Sequence, residues 1–242
     1  MRQARSVVLI LSVALLSFLV WRMMALPLFS STLRLSAAIP FSADTPTGYD
    51  PLTEHEQKLA ISAALQKEAN LQASDAGSLE TLLVERHEVP KAERTKGQWS
   101  RQADVYLYDY TSDTLHHSTV DVASGAVVAT EKATGVQLPL TQQEEARALS
   151  LVRNDPTVWS DLTNRYHTIS GEALNDLAQL QVKVSLFRSD SMPDRVNDAA
   201  SACGQHRCAQ ALIFTVDRTL LEIMPIVDLS QGRVVQVLNE TN

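Results

Sequence analysis

The segment Cys203-Gly204-Gln205-His206-Arg207-Cys208 gathers two thiols, an imidazole and a guanidinium in one short run. No other cysteine occurs in the 242 residues, so this pair is the chain's whole thiol chemistry. Three reactive states compete. In an oxidising compartment the sulfurs can close a small disulfide ring that pins the segment. As thiolates, Cys203 and Cys208 with His206 make a soft ligand set suited to copper(I) or zinc, without an evident fourth ligand. As a redox couple they lack the Cys-x-x-Cys spacing and the helix start that lower a thiol pKa. Two inert thiols are the remaining alternative. The disulfide is the favoured expectation, because the segment reads as exported.

The other reactive residue types are more dispersed. His116-His117 falls in an alternating stretch, where neighbours point to opposite strand faces and cannot readily share a metal. It reads as a solvated pair beside a turn. His87 and His167 stand alone in the sequence. Glu54, Glu56, Glu144 and Glu145 fall in the first turns of expected helices, where capping and the helix dipole explain negative charge. Tyr106, Tyr108 and Tyr110 share one strand face. That face reads as core packed under a helix, against the competing reading of an aromatic docking surface for a partner, with His206 beside it. No glycine-rich phosphate loop, serine elbow or metalloprotease helix is present. The expectation is a protein without a catalytic site and without a cofactor.

Positioning elements can be read from start to end. Arg2 and Arg5 precede an apolar run, Ser6 to Trp21, which Met23 to Phe29 continue beyond Arg22. Positive charge before an apolar segment keeps the N-terminus cytoplasmic and sends the rest across the membrane. Ser36-Ala37-Ala38 is a weak cleavage site far from the run, so residues 1–29 are expected to be a single-pass signal anchor. Residues 30–50 read as a linker rich in Ser, Thr, Pro and Ala. The body is then periplasmic or otherwise extracytoplasmic. Its net charge of −7 argues against a nucleic-acid surface.

Two copies of one pattern follow, residues 51–137 and 138–242. Pro51-Leu52-Thr53-Glu54-His55-Glu56 and Pro139-Leu140-Thr141-Gln142-Gln143-Glu144 each open a helix with a capping box. The first helix is expected to reach Asn70, and Asp155-Pro156 to end or bend the second. Strands are expected over Leu82–Val89, Val105–Tyr110 and Thr114–Val122, and again over Leu180–Phe187, Ala209–Val216 and Leu220–Leu229. Val120-Asp121-Val122-Ala123-Ser124-Gly125-Ala126-Val127-Val128 matches Val227-Asp228-Leu229-Ser230-Gln231-Gly232-Arg233-Val234-Val235, each a hairpin with Gly where positive φ is needed. The order helix, strand, strand, strand, strand predicts an α+β body, each copy one helix across a four-stranded antiparallel sheet.

These residues resemble the two small N-terminal domains of copper amine oxidases. The opening Asp50-Pro51-Leu52-Thr53-x-x-Glu56, the element Val89-Pro90-Lys91-Ala92 and the strands Tyr108-Asp109 to Val128 carry the first domain's likeness. Leu138-Pro139-Leu140-Thr141 to Asp155-Pro156, and Pro225-Ile226-Val227-Asp228-Leu229 to Val235, carry the second's. The resemblance covers about Asp50 to Val237 and implies a cystatin-like fold for each copy. That family's chemistry rests on a quinone cofactor from Asn-Tyr-Asp/Glu and on copper bound partly by His-x-His. Neither motif occurs here, so the resemblance implies interaction and architecture rather than amine oxidation. The expected function is a membrane-anchored accessory or scaffold protein that binds another membrane or periplasmic protein, a subunit of an oxidoreductase complex being one such role. A copper- or zinc-handling protein using Cys203, His206 and Cys208 is the alternative.

Overall fold

The structure is a computed structural model that describes residues 49–71, 79–94 and 99–239. In chain order the first repeat contains α1 (Glu54–Leu71), β1 (Leu79–Arg86), a single turn α2 (Lys91–Arg94), β2 (Gln102–Asp109), β3 (Thr114–Asp121) and β4 (Ala126–Thr134). The second contains α3 (Gln142–Asn154), α4 (Pro156–Ser170), β5 (Leu180–Phe187), β6 (Cys208–Thr215), β7 (Met224–Asp228) and β8 (Arg233–Leu238). Each repeat forms a four-stranded antiparallel meander, β1-β2-β3-β4 and β5-β6-β7-β8. The protein is therefore α+β, and both repeats belong to one compact unit, Pro46–Asn242. Among the described residues no helix is long and apolar enough to cross a membrane. The expected anchor at residues 1–29 and most of the linker lie outside the described residues.

The two long helices start alike. The Thr53 N–H donates to Glu56 Oε2 at 2.8 Å, and the Glu56 N–H donates back to Thr53 Oγ1 at 3.3 Å. At α3 the Thr141 N–H donates to Glu144 Oε2 at 2.7 Å, and the Glu144 N–H to Thr141 Oγ1 at 3.1 Å. Each box satisfies N–H groups that the first turn otherwise leaves unpaired. Ala60 and Ala64 are fully buried on α1, so small side chains let the helix lie close to Ala103, Val105 and Leu107 of β2.

The second helix ends at Asn154, as Asp155-Pro156 led one to expect, but an unexpected helix, α4, follows it directly. Asp155 closes α3 and caps α4, its Oδ1 accepting from the N–H groups of Thr157 and Val158 at 3.1 and 3.0 Å. Pro156 is tolerated because the first helical position needs no N–H partner. Val158, Leu162 and Tyr166 follow four apart and join Ala148 and Val152 over Ala209, Ala211 and Ile213 of β6. The β-rich ends repeat closely. Register shifts fall at Thr119/Val120 and at Ile226/Val227, followed by the pairs Val120↔Val127 and Val227↔Val234. Gly125 and Gly232 turn the hairpins at φ 70° and 66°. The strand expected over Leu220–Leu229 is shorter: β7 begins at Met224, because Arg218 and Glu222 take positive φ and divert the chain.

One long-range device recurs with the capping boxes. Arg101, just before β2, donates from Nε to Glu56 Oε1 at 2.6 Å and from Nη2 to Glu56 Oε2 at 3.1 Å. Its Nη1 and Nη2 also donate to the Asp50 and Pro51 carbonyls at 2.9 and 2.7 Å. The Arg101 guanidinium holds the Glu56 carboxyl down at about 2, against an ordinary 4.5. A lowered folded value contributes stability above about pH 4.5 that is lost as the pH falls towards 2. Urea midpoints of the full chain should fall across that window, and Glu56→Gln should flatten the fall; an unchanged acid slope would show that this clamp contributes nothing.

Candidate functional site

The loop between β5 and β6 is pinned before its reactive residues are reached. The Ser189 N–H and Oγ both donate to the Cys203 carbonyl, at 2.9 and 2.8 Å. Gly204 turns at φ 112°, and its N–H donates to the His206 carbonyl at 3.0 Å. Cys203 and Cys208 are joined by a disulfide, with Cα atoms 5.4 Å apart. Both are buried among Phe187, Ala200, Ile226, Val235 and Leu238, on the sheet face opposite α3 and α4. Bonded to each other, the sulfurs supply no thiolate ligand in this state. The His206 ring is engaged by Asp228 and Gln231.

Alternation sends Arg207 to the other side from Cys208. Arg207 is wholly buried, as is Glu144. Its Nε contacts Glu144 Oε1, and its Nη2 donates to Glu144 Oε2 at 2.8 Å. Its Nη1 donates to the Leu138 carbonyl and to Gln137 Oε1 at 2.9 and 3.2 Å, and Nη2 to the Pro139 carbonyl at 2.9 Å. This is the Arg101 clamp again, atom for atom, on the second capping glutamate. The difference is burial: Arg101 and Glu56 keep 12% and 14% of their side-chain surface, whereas Arg207 and Glu144 keep none. The first repeat supplies the cover. The Tyr110 hydroxyl lies 2.7 Å from Glu144 Oε1, and the Tyr108 ring lies 5.6 Å from the Arg207 guanidinium. Burial alone pushes the Glu144 carboxyl up, but the Arg207 guanidinium, the Thr141 N–H and the Tyr110 hydroxyl outweigh it and hold it low.

His206 lies at the rim of this junction. Its Nδ1 is 2.7 Å from Asp228 Oδ2, and its Nε2 is 3.6 Å from Asp113 Oδ2. Asp113 in turn accepts from the hydroxyls of Tyr108 and Ser230. Hydrogen bonding to Asp228 leads the causes that raise the His206 pKa, against a smaller lowering by burial. The imidazole thus bridges carboxylates from the two repeats, Asp113 before β3 and Asp228 at the end of β7.

Several expectations need correction. The helix covers the Ala103, Val105 and Leu107 face of β2, so Tyr106 and Tyr108 occupy the face away from α1. Tyr108 is 1% exposed at the junction, and burial raises its hydroxyl pKa strongly. Tyr106 stays partly exposed and stacks on His117, with ring centroids 4.5 Å apart. His116 and His117 are no solvated pair. His116 is buried with its Nδ1 2.7 Å from Glu68 Oε2, while His117 Nε2 lies 2.9 Å from Asp104 Oδ1. His87 is not isolated either: its Nδ1 lies 2.9 Å from Asp104 Oδ2. His167 faces the Glu172 carbonyl at 3.2 Å. Among the described residues no three or more His, Cys, Asp or Glu side chains converge to hold a metal ion. Sequence reading missed Arg207 and Arg101, whose signal was an arginine two residues or fewer ahead of an equivalent apolar strand in each copy.

No protein-family model matches the chain, and no curated protein matches it. Among solved structures it is similar to a copper-containing benzylamine oxidase from Hansenula polymorpha, with a TM-score of 0.51 and 17% identity. The match covers 80% of this chain and 30% of the oxidase chain. The likeness is one of fold, shared with part of that enzyme.

The raised His206 value fixes the sign of one pH effect. Its contribution to stability is complete below the ordinary value of 6.5 and is lost as the pH rises through the folded value. Urea midpoints should therefore decline as the pH rises beyond about 6.5, and His206→Gln should remove that decline. An identical alkaline slope in the variant would refute the Asp113–His206–Asp228 bridge.

Proposed function

We propose that the chain is a membrane-held, non-catalytic accessory protein whose extracytoplasmic body binds another membrane or periplasmic protein. The observation that carries this reading is how the charged residues of the junction are spent. Arg207, Glu144, His206, Asp113 and Asp228 partner one another and the backbone across the two repeats. A catalytic group must keep a lone pair or a proton available to a reactant, whereas these groups are committed to holding the body in one shape. The cysteine pair supports the same reading, since a disulfide persists in oxidising compartments outside the cytoplasm. Arg2 and Arg5 before the Ser6–Leu28 run supply the tether. The fold likeness adds a shared architecture with 30% of an oxidase chain, and that enzyme's activity stays with that enzyme.

Native membranes provide the test. The full chain should resist carbonate extraction, and protease added from the extracytoplasmic side should cleave its body. Mild detergent should release it in a species of defined stoichiometry with a second protein. Recovery of the chain alone, as a monomer free of membranes, would overturn the proposal.

A further inference from the structure

The two repeats treat the outer faces of their sheets differently. In the second, loop 188–207 closes that face, packing Met192, Val196, Ala199 and Ala200 around Phe187, Ile226 and Val235. In the first, no described element covers the corresponding face beyond Tyr108. Across its four strands runs one row in register: Leu83, Tyr106, His117 and Glu131. Leu83 is 38% exposed, and the Tyr106 and His117 rings lie nearly parallel, 8° apart. Glu85 of β1 and Glu131 of β4 are exposed on either side of Tyr106, and both act electrostatically on its hydroxyl. Asp104 beneath them is already occupied by His87, His117 and Thr119. The cations of these strands point elsewhere. Lys132 donates to Glu68 on the helix side at 3.1 Å, and Arg86 pairs across from Ala103, on the helix side.

We infer that this open face, centred on Tyr106 between Glu85 and Glu131, docks a lysine- or arginine-bearing segment of a partner protein. The inference rests on the accessory reading and names the chemistry of its partner. A cationic head sits between the two carboxylates at the tyrosine hydroxyl, while its aliphatic stem lies along Leu83 and the Tyr106 ring face opposite His117. Charge selects this occupant. A second copy would bring the same carboxylates and a net charge of −7 against the face. An anionic lipid surface or a nucleic acid would be repelled in the same way.

The probe is a short, dye-labelled peptide of alternating arginine and alanine, titrated into the full chain at low ionic strength and followed by fluorescence anisotropy. Glu85→Arg with Glu131→Arg should weaken binding by about tenfold or more, and Tyr106→Ala by about threefold. Glu54→Arg with Glu145→Arg, which changes net charge equally at helix starts, should leave affinity within about twofold. The milder pair Glu85→Gln and Glu131→Gln should shift affinity in the same direction as the reversal. Equal weakening by both charge-reversed pairs, or no saturable binding to the unaltered chain, would overturn the inference. A native complex that survives Glu85→Arg with Glu131→Arg would also remove this face while sparing the accessory reading. A chain recovered alone from membranes would remove the accessory reading and leave the peptide result standing.

Discussion

An arginine placed just ahead of the second strand of each repeat, forked onto the capping glutamate of that repeat's helix, is the constraint on which this architecture depends. A helix packed on a sheet by small apolar residues can slide, because alanine surfaces offer little directional contact. The clamp removes that freedom. It ties the helix start, the two preceding carbonyls and the strand start to one planar group, with bidentate geometry that lysine cannot reproduce. Arg101 does this for α1 and Arg207 for α3, using the same atoms on Asp50, Pro51 and Glu56 as on Leu138, Pro139 and Glu144. Two copies of one pattern thus keep one internal rule, although little of their surface sequence agrees.

The second clamp has acquired a further role from its position. Tyr108 and Tyr110 at the end of the first sheet close over it, so an ion pair that is partly wet in the first repeat is dry in the second. A dry pair is expensive to create, and losing one partner leaves an uncompensated charge worth about 3–5 kcal/mol of destabilisation. It therefore acts as a registry device between the repeats. The disulfide serves the same end from the opposite face. By fixing Cys203 to Cys208 it holds the turn that delivers His206 to the rim and Arg207 to the interior. The cysteine pair, read first as a disulfide and second as metal ligands, stands here as the disulfide.

Much of this was legible in the residues. Capping boxes, the Asp–x–x–x–Gly hairpins and period-two strands are local signals, and they placed α1, α3 and both meanders to within a few residues. What escaped was non-local. Glu56 and Glu144 satisfied a local rule, so nothing within four residues revealed that an arginine 45 or 63 positions away would also take them. The same holds for His116 with Glu68, 48 positions apart, and for His87 with Asp104. α4 was missed for a different reason. Pro156 was read as an end or a bend and not as a helix start, although Val158, Leu162 and Tyr166 carry the helical spacing and Asp155 can cap as well as terminate. The tyrosine face was misassigned because both faces of β2 are apolar, and alternation alone cannot say which one meets the helix.

The central claim is that Arg207 and Glu144 act as one coupled unit, buried beneath Tyr108 and Tyr110 of the first repeat. A double-mutant cycle measures this directly, using Arg207→Ala, Glu144→Ala and the pair together in urea unfolding of the full chain. The account predicts that each single change costs about 3–5 kcal/mol and that the double costs little more than either, a coupling of several kcal/mol. Additive losses would contradict it, because they would show two buried residues that stabilise the fold independently and no clamp between them.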